Sequence, residues 1–86
     1  MNHELETVLE SRNDYGSFPA KAVWLQGVKA SMRGAESWGN LAPAEQEALD
    51  AIAVKMARVL YGKQVRDNWV DIAGYATLAL ETYDDY

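Results

Sequence analysis

Apolar positions recur along this chain at the spacing of a helix, and no segment keeps the two-residue alternation of a strand. In Asp67–Leu80, Trp69, Ile72, Ala73, Ala76 and Leu80 gather on one side of a helix, with Asp67, Asp71, Gly74 and Tyr75 opposite. Two carboxylates four residues apart across from an apolar face can serve as a platform for metal or phosphate. The same pattern fits an ordinary surface helix.

Four helical segments follow from this reading. Glu4–Arg12 carries Leu5, Val8 and Leu9 at i, i+3, i+4, and the turn residues from Asn13 to Gly16 come next. Ser17-Phe18-Pro19 reads as a helix start, with proline tolerated in the first turn. The helix then runs to about Arg33, with Trp24, Leu25, Val28 and Met32 on one side and Gln26, Lys29 and Arg33 on the other. Gly27 either weakens it by ~1 kcal/mol relative to alanine or lets a neighbour approach closely. Gly34–Asn40 reads as a loop in which Trp38 folds back as a lid.

Pro43 opens the best-defined helix. Glu45 and Glu47 sit near its start, where the dipole favours negative charge, and Leu49, Ile52, Ala53, Met56, Val59 and Leu60 form the stripe expected to be buried. Gly62 is expected to stop it in a left-handed conformation. The short connection Lys63–Arg66 predicts that the last helix, about Asp67–Tyr83, returns antiparallel, with Asp67 as its N-cap and Glu81–Tyr86 as a frayed acidic tail. The expected fold is all-α: one domain over residues 1–86, an antiparallel bundle of three to four helices, with residues 1–14 forming a short N-terminal helix and turn.

Length sharpens this picture. A chain of 86 residues buries only roughly 60–65% of its unfolded surface, so association into a homo-oligomer is an economical way to hide more. The absence of cysteine excludes disulfides, thiolate zinc and cysteine nucleophiles, and fits a reducing compartment. The first residues do not read as a signal peptide, and no apolar run reaches the ~18–20 residues needed to span a bilayer. A soluble, cytoplasmic protein without membrane contact is expected. The net charge is −5, and beyond Arg66 there are acids but no lysine or arginine. That argues against direct nucleic-acid binding, permits a divalent cation or a basic protein surface as partner, and also serves plain solubility.

The candidate chemistry lies on the far side of the Pro43 helix. Glu47 and Asp50, at i and i+3, can converge on a hard cation such as Mg2+, and Asp71 from the last helix can add a third oxygen ligand. Lys55 and Arg58 would then reach phosphate oxygens, with Tyr75 beside them. Each residue has a plainer alternative. Asp71 can pair with Lys55 or Arg58, Glu47 and Asp50 can be solvated acids, and Tyr75 can pack its ring with the hydroxyl in solvent. Gly74 is expected to let two helices cross closely. His3 stands alone, and no serine–histidine–aspartate set, glycine-rich phosphate loop or zinc spacing occurs.

Tyr15-Gly16-Ser17-Phe18, Lys55-Met56-Ala57-Arg58 and Asp71-Ile72-Ala73-Gly74-Tyr75-Ala76, in this order, resemble a family of small phage and prophage proteins of unknown function. More distantly the chain resembles the MazG-like all-α nucleotide pyrophosphohydrolases, which hold magnesium with two acidic pairs and work as dimers or tetramers. Asp71 matches their final aspartate, whereas Asn68 stands where a glutamate is usual and Glu47-x-x-Asp50 replaces the first pair. The resemblance implies a protein of the host-cell cytoplasm that binds a nucleotide or other phosphate ligand with Mg2+ and is a degenerate hydrolase. The competing expectation is a small acidic phage protein that binds and inhibits a host protein through Glu81–Tyr86.

Overall fold

The structure, a computed structural model, describes residues 17–84. The expected helix at Glu4–Arg12 and the last two residues lie outside the described residues. Helix α1 spans Phe18–Arg33, α2 spans Pro43–Tyr61 and α3 spans Arg66–Asp84, with a 3-10 turn at Trp38–Asn40 between the first two. The all-α architecture expected from the periodicity is the one observed.

Local signals explain the boundaries. The Ser17 hydroxyl accepts from the Ala20 N–H at 3.4 Å, and Pro19 occupies the first turn of α1. Arg33 closes α1, where a cation suits the dipole, and its guanidinium also donates to the Lys29 carbonyl at 3.2 Å. At the start of α2 the Glu45 carboxylate accepts from the Ala42 N–H at 2.9 Å. This is half of a capping box, because alanine has no oxygen with which to return the bond. At the other end the Gln64 amide donates to the Val59 carbonyl at 3.1 Å and satisfies one of the helix's terminal acceptors.

Two local expectations change. Gly62 does end α2, but at φ −133° and ψ −165°, an extended conformation rather than a left-handed one. Helix α3 begins at Arg66, which puts Asp67 inside its first turn, where its charge still suits the dipole. It runs on through Asp84, one residue past the expected end near Tyr83. The Tyr83 hydroxyl donates to the Glu45 carboxylate at 2.7 Å and ties this last turn to the start of α2.

Helix α2 is the central element, with α1 and α3 both packed on it. Arg33 reaches Asp50 near the start of α2, while Trp24 meets Tyr61 at its end, ring centroids 6.5 Å apart and tilted by 58°. These contacts set α1 antiparallel to α2, and Lys55–Asp71 with Glu45–Tyr83 do the same for α3. Trp38, in the turn between α1 and α2, is half-buried. Gln46 donates to its carbonyl at 3.0 Å and the Arg33 guanidinium sits 5.2 Å from its ring centre.

Packing inverts the expected orientation of two helices. The fully buried apolar side chains of the described residues are Ala48, Ala53 and Ala57, joined by the polar Asn68. On α2 the expected stripe is split: Ala53 is buried, Ile52 and Val59 are half-buried, and Leu49, Met56 and Leu60 face outward at 42%, 42% and 58% exposure. On α3 the turn toward solvent is more complete. Trp69, Ala73, Ala76 and Leu80 are exposed, while Asn68, Asp71, Ile72, Tyr75, Ala79 and Thr82 are buried or half-buried. The latter set repeats at intervals of three and four, the seam of a helix packed lengthwise on its neighbour. The apolar side chains that α2 buries are alanines, so the larger members of its stripe stay at the surface. Gly74 is exposed, and a Cβ built there would meet nothing within 4 Å, so it makes no close crossing. The same holds for Gly27, leaving only its cost to helix propensity.

Candidate functional site

One flank of α2 collects most of the residues singled out for chemistry. Lys55 and Asp71 form an ion pair at 3.0 Å between α2 and α3, so of the partners foreseen for Asp71 it is Lys55 that takes it. One turn back, both oxygens of Asp50 accept from a single Arg33 nitrogen, at 3.1 and 2.9 Å. Between these two pairs a cleft of about 290 Å3 opens, with Lys29 from α1, Glu47, Asp50, Val54 and Lys55 from α2, and Tyr75 from α3 on its walls. Three helices meet here because the spacing Glu47-x-x-Asp50-x-x-x-Val54-Lys55 holds one side of α2 over two turns.

A second cleft of about 350 Å3 runs between α1 and α2, lined by Phe18, Lys21, Leu25, Gln26, Val54 and Arg58 among others. Val54 lines both, so the two adjoin. Arg58, expected beside Lys55 on one phosphate, opens on this second cleft.

Of the six site residues read from the sequence, Glu47, Asp50, Lys55 and Tyr75 therefore share one cleft, Asp71 is tied to it through Lys55, and Arg58 belongs to the adjoining one. The carboxylates are not assembled as a set of three. Asp50 is engaged by Arg33 and Asp71 by Lys55, and among the described residues no three histidine, cysteine, aspartate or glutamate side chains are placed to hold a metal ion. No hydrogen-bond or ion-pair partner is found for the Glu47 carboxylate or the Lys29 ammonium among the described residues.

The sequence places Lys29 and Arg33 on the polar side of α1 without marking them as site residues. Their spacing of four, with both on the polar side of α1, was the available signal. Asn68 was noted only as a substitution for a carboxylate. It is 3% exposed, and its Nδ2 is buried without an acceptor among the described residues.

Shifted titrations occur where the start of α2 meets the end of α3. The Ala42 N–H and then the Tyr83 hydroxyl, both donating to Glu45, hold its carboxyl below the ordinary carboxylate range. The hydrogen bond to Glu45, the negative charge beside it and a small loss of solvent push the Tyr83 phenol up. Both groups are capping and docking groups, which accounts for the shifts without chemistry.

Among the described residues no helix is long and apolar enough to cross a membrane. A family model described as a domain of unknown function (DUF6378) matches residues 22–83, which takes in α1 from Ala22 onward, all of α2 and all but the last residue of α3. No curated protein and no solved structure matches the chain.

Proposed function

The chain belongs to the DUF6378 family, whose function is unknown, and we propose that it binds a nucleotide or a similar ligand with a charged phosphate end and a flat, less polar body. The observation that carries this reading is the meeting of the two clefts at Val54. One side offers the Lys29 ammonium, the Lys55–Asp71 pair and the Tyr75 hydroxyl; the other offers Phe18, Leu25 and the alkyl stems around them. Each alone is near the small end of ligand sites, which run from roughly 300 to 1,000 Å3, and together they suit a ligand that spans both.

In this reading Lys29 and Lys55 take the phosphate oxygens, and Tyr75 adds a hydrogen bond. Arg58 lies by the less polar body in the second cleft. Magnesium enters on the ligand's phosphates rather than on a preformed set of protein carboxylates, and Glu47 is the oxygen ligand the protein adds. Binding is favoured over hydrolysis for the same reason, since turnover of a phosphoanhydride asks for several oxygens fixed around the metal before the reaction. The phage origin and the MazG-like kinship stay within this proposal, as does the cytoplasmic setting.

Calorimetric titration with nucleoside mono- and triphosphates, with and without magnesium, tests it. Saturable binding is expected, weakened at least about tenfold by Lys29→Ala and left intact by Arg66→Ala, a charge-matched change at the start of α3 (on the order of 1.4 kcal/mol for tenfold). A flat panel from folded protein, or equal losses in both variants, rejects the cleft as a phosphate site.

A further inference from the structure

The flank of α2–α3 opposite the cleft carries a row of exposed apolar side chains. Leu49, Met56 and Leu60 stand at i, i+7 and i+11 on α2, and Trp69, Ala73, Ala76 and Leu80 at i, i+4, i+7 and i+11 on α3. The Lys55–Asp71 pair marks one side of the hairpin. At 100° per residue Met56 and Leu60 lie about 100–140° around α2 from Lys55, and Trp69 and Leu80 about 160–180° around α3 from Asp71. In an antiparallel pair these rotations carry both stripes to the same side. The outcome is one continuous apolar face, with Trp69 and Leu80 each 59% exposed and no charged residue within either stripe.

We infer that this face is the contact between two copies of the chain, which join their α2–α3 hairpins into a four-helix bundle. A fully presented large side chain offers roughly 150–250 Å2, so five of them at 42–59% exposure leave on the order of 500 Å2 on one copy before the alanines and rim are added. Two such faces reach about 1,000 Å2, where stable protein interfaces begin. The interior of one copy cannot stand in for this burial, because its fully buried apolar side chains are alanines.

Charge also selects the occupant. Each copy carries a net charge of −5, so two copies associate best where neither brings charge, and these stripes bring none. A two-fold contact further requires a patch that matches itself, and stripes spaced by seven and eleven residues are the self-matching seam of a helical bundle. The Glu45–Tyr83 hydrogen bond ties the two helices together at one end of this face.

The test uses the full chain, which has no cysteine of its own. Sedimentation equilibrium at micromolar concentration is expected to give twice the 9.6 kDa of one chain. Met56→Glu and Leu60→Glu are expected to shift the dimer to monomer at least tenfold, while Val23→Glu, on the outer side of α1, leaves it unchanged. Ala73→Cys and Ala76→Cys are expected to give covalent dimers with a short bismaleimide, and Glu81→Cys none. A monomer at all concentrations overturns the proposal, as does a dimer that links equally through position 81. Because the cysteine variants replace alanines on an exposed face, they answer the question even where the glutamate variants fail to fold. A monomer whose face is shielded by residues 1–16 also overturns it, and would be seen as protection of Trp69 from acrylamide quenching without any change in mass.

Discussion

The two flanks of the α2–α3 hairpin use their residues in opposite ways. On one flank, charged side chains (Lys55, Asp71, Asp50) are drawn halfway into the chain and joined to one another or to Arg33, with Tyr75 half-buried beside them. On the other, Leu49, Met56, Leu60, Trp69 and Leu80 are left outside. A monomer stabilised for its own sake would be expected to turn the second flank inward, since each large apolar side chain is worth about 1.5–3 kcal/mol when fully buried. In the proposed dimer the apolar flank would meet its partner between chains, whereas Lys55, Asp71 and Asp50 meet theirs within one.

The largest effect that sharpens this contrast is expected inside α2. Ala57 is 2% exposed, and Ala57→Leu overpacks the seam with α1 by about 1–3 kcal/mol, whereas Met56→Leu, one residue away on the apolar flank, changes stability by less than about 1.5 kcal/mol. Urea unfolding of both variants at one concentration checks the pair, and equal losses would place Met56 inside the chain.

Asn68 gives a smaller effect of opposite sign. Asn68→Leu removes a buried donor that has no acceptor and is expected to raise stability by about 1–2 kcal/mol. A loss of stability instead would show that a water or ligand satisfies the amide.

Smaller again is the Lys55–Asp71 pair, whose aspartate side chain is 44% exposed. A double-mutant cycle with Lys55→Ala and Asp71→Ala is expected to give a coupling below about 1 kcal/mol, reduced further by salt. The more telling readout is ligand affinity. Asp71→Asn releases the Lys55 ammonium and is expected to strengthen phosphate binding if Lys55 serves the ligand. Weaker, magnesium-dependent binding would instead make Asp71 a metal ligand.

The Glu45–Tyr83 bond sets a pH window of modest depth. Glu45 has a folded pKa below a glutamate's ordinary 4.5, so its contribution is present above that value and lost as pH falls through the folded pKa. Tyr83 has a folded pKa above the ordinary 10.0, so its contribution is complete below that value and lost as pH rises through the folded pKa. Fraying of the last turn of α3 at both extremes, followed by amide exchange at Thr82 and Tyr83, is the expected outcome. In Tyr83→Phe the turn is expected to exchange faster at neutral pH, and the alkaline step should vanish.

Much of the fold was legible in the amino-acid order. Pro19 and Pro43 mark the starts of α1 and α2, Gly34 and Gly62 their ends, and the short link from Lys63 forces the return of α3. These are local events, decided within a turn or two of the chain. The clustering of Glu47, Asp50, Lys55 and Tyr75 was legible too, because it depends on helical spacing and on the antiparallel return. The pairing of Arg33 with Asp50 and the place of Lys29 on the cleft wall were not, since both depend on how α1 packs on α2 and not on spacing within α1.

Sequence alone therefore determined the helices, their order and the existence of an apolar stripe on α2 and on α3. Which stripe faces which neighbour was decided only by tertiary packing. Periodicity states that a helix has two unlike sides, but not where it finds its partner. That choice rests on contacts between residues far apart in the chain, which helical spacing does not encode: Asp71 and Tyr75 lie half-buried beside α2, and Trp69 and Leu80 face outward.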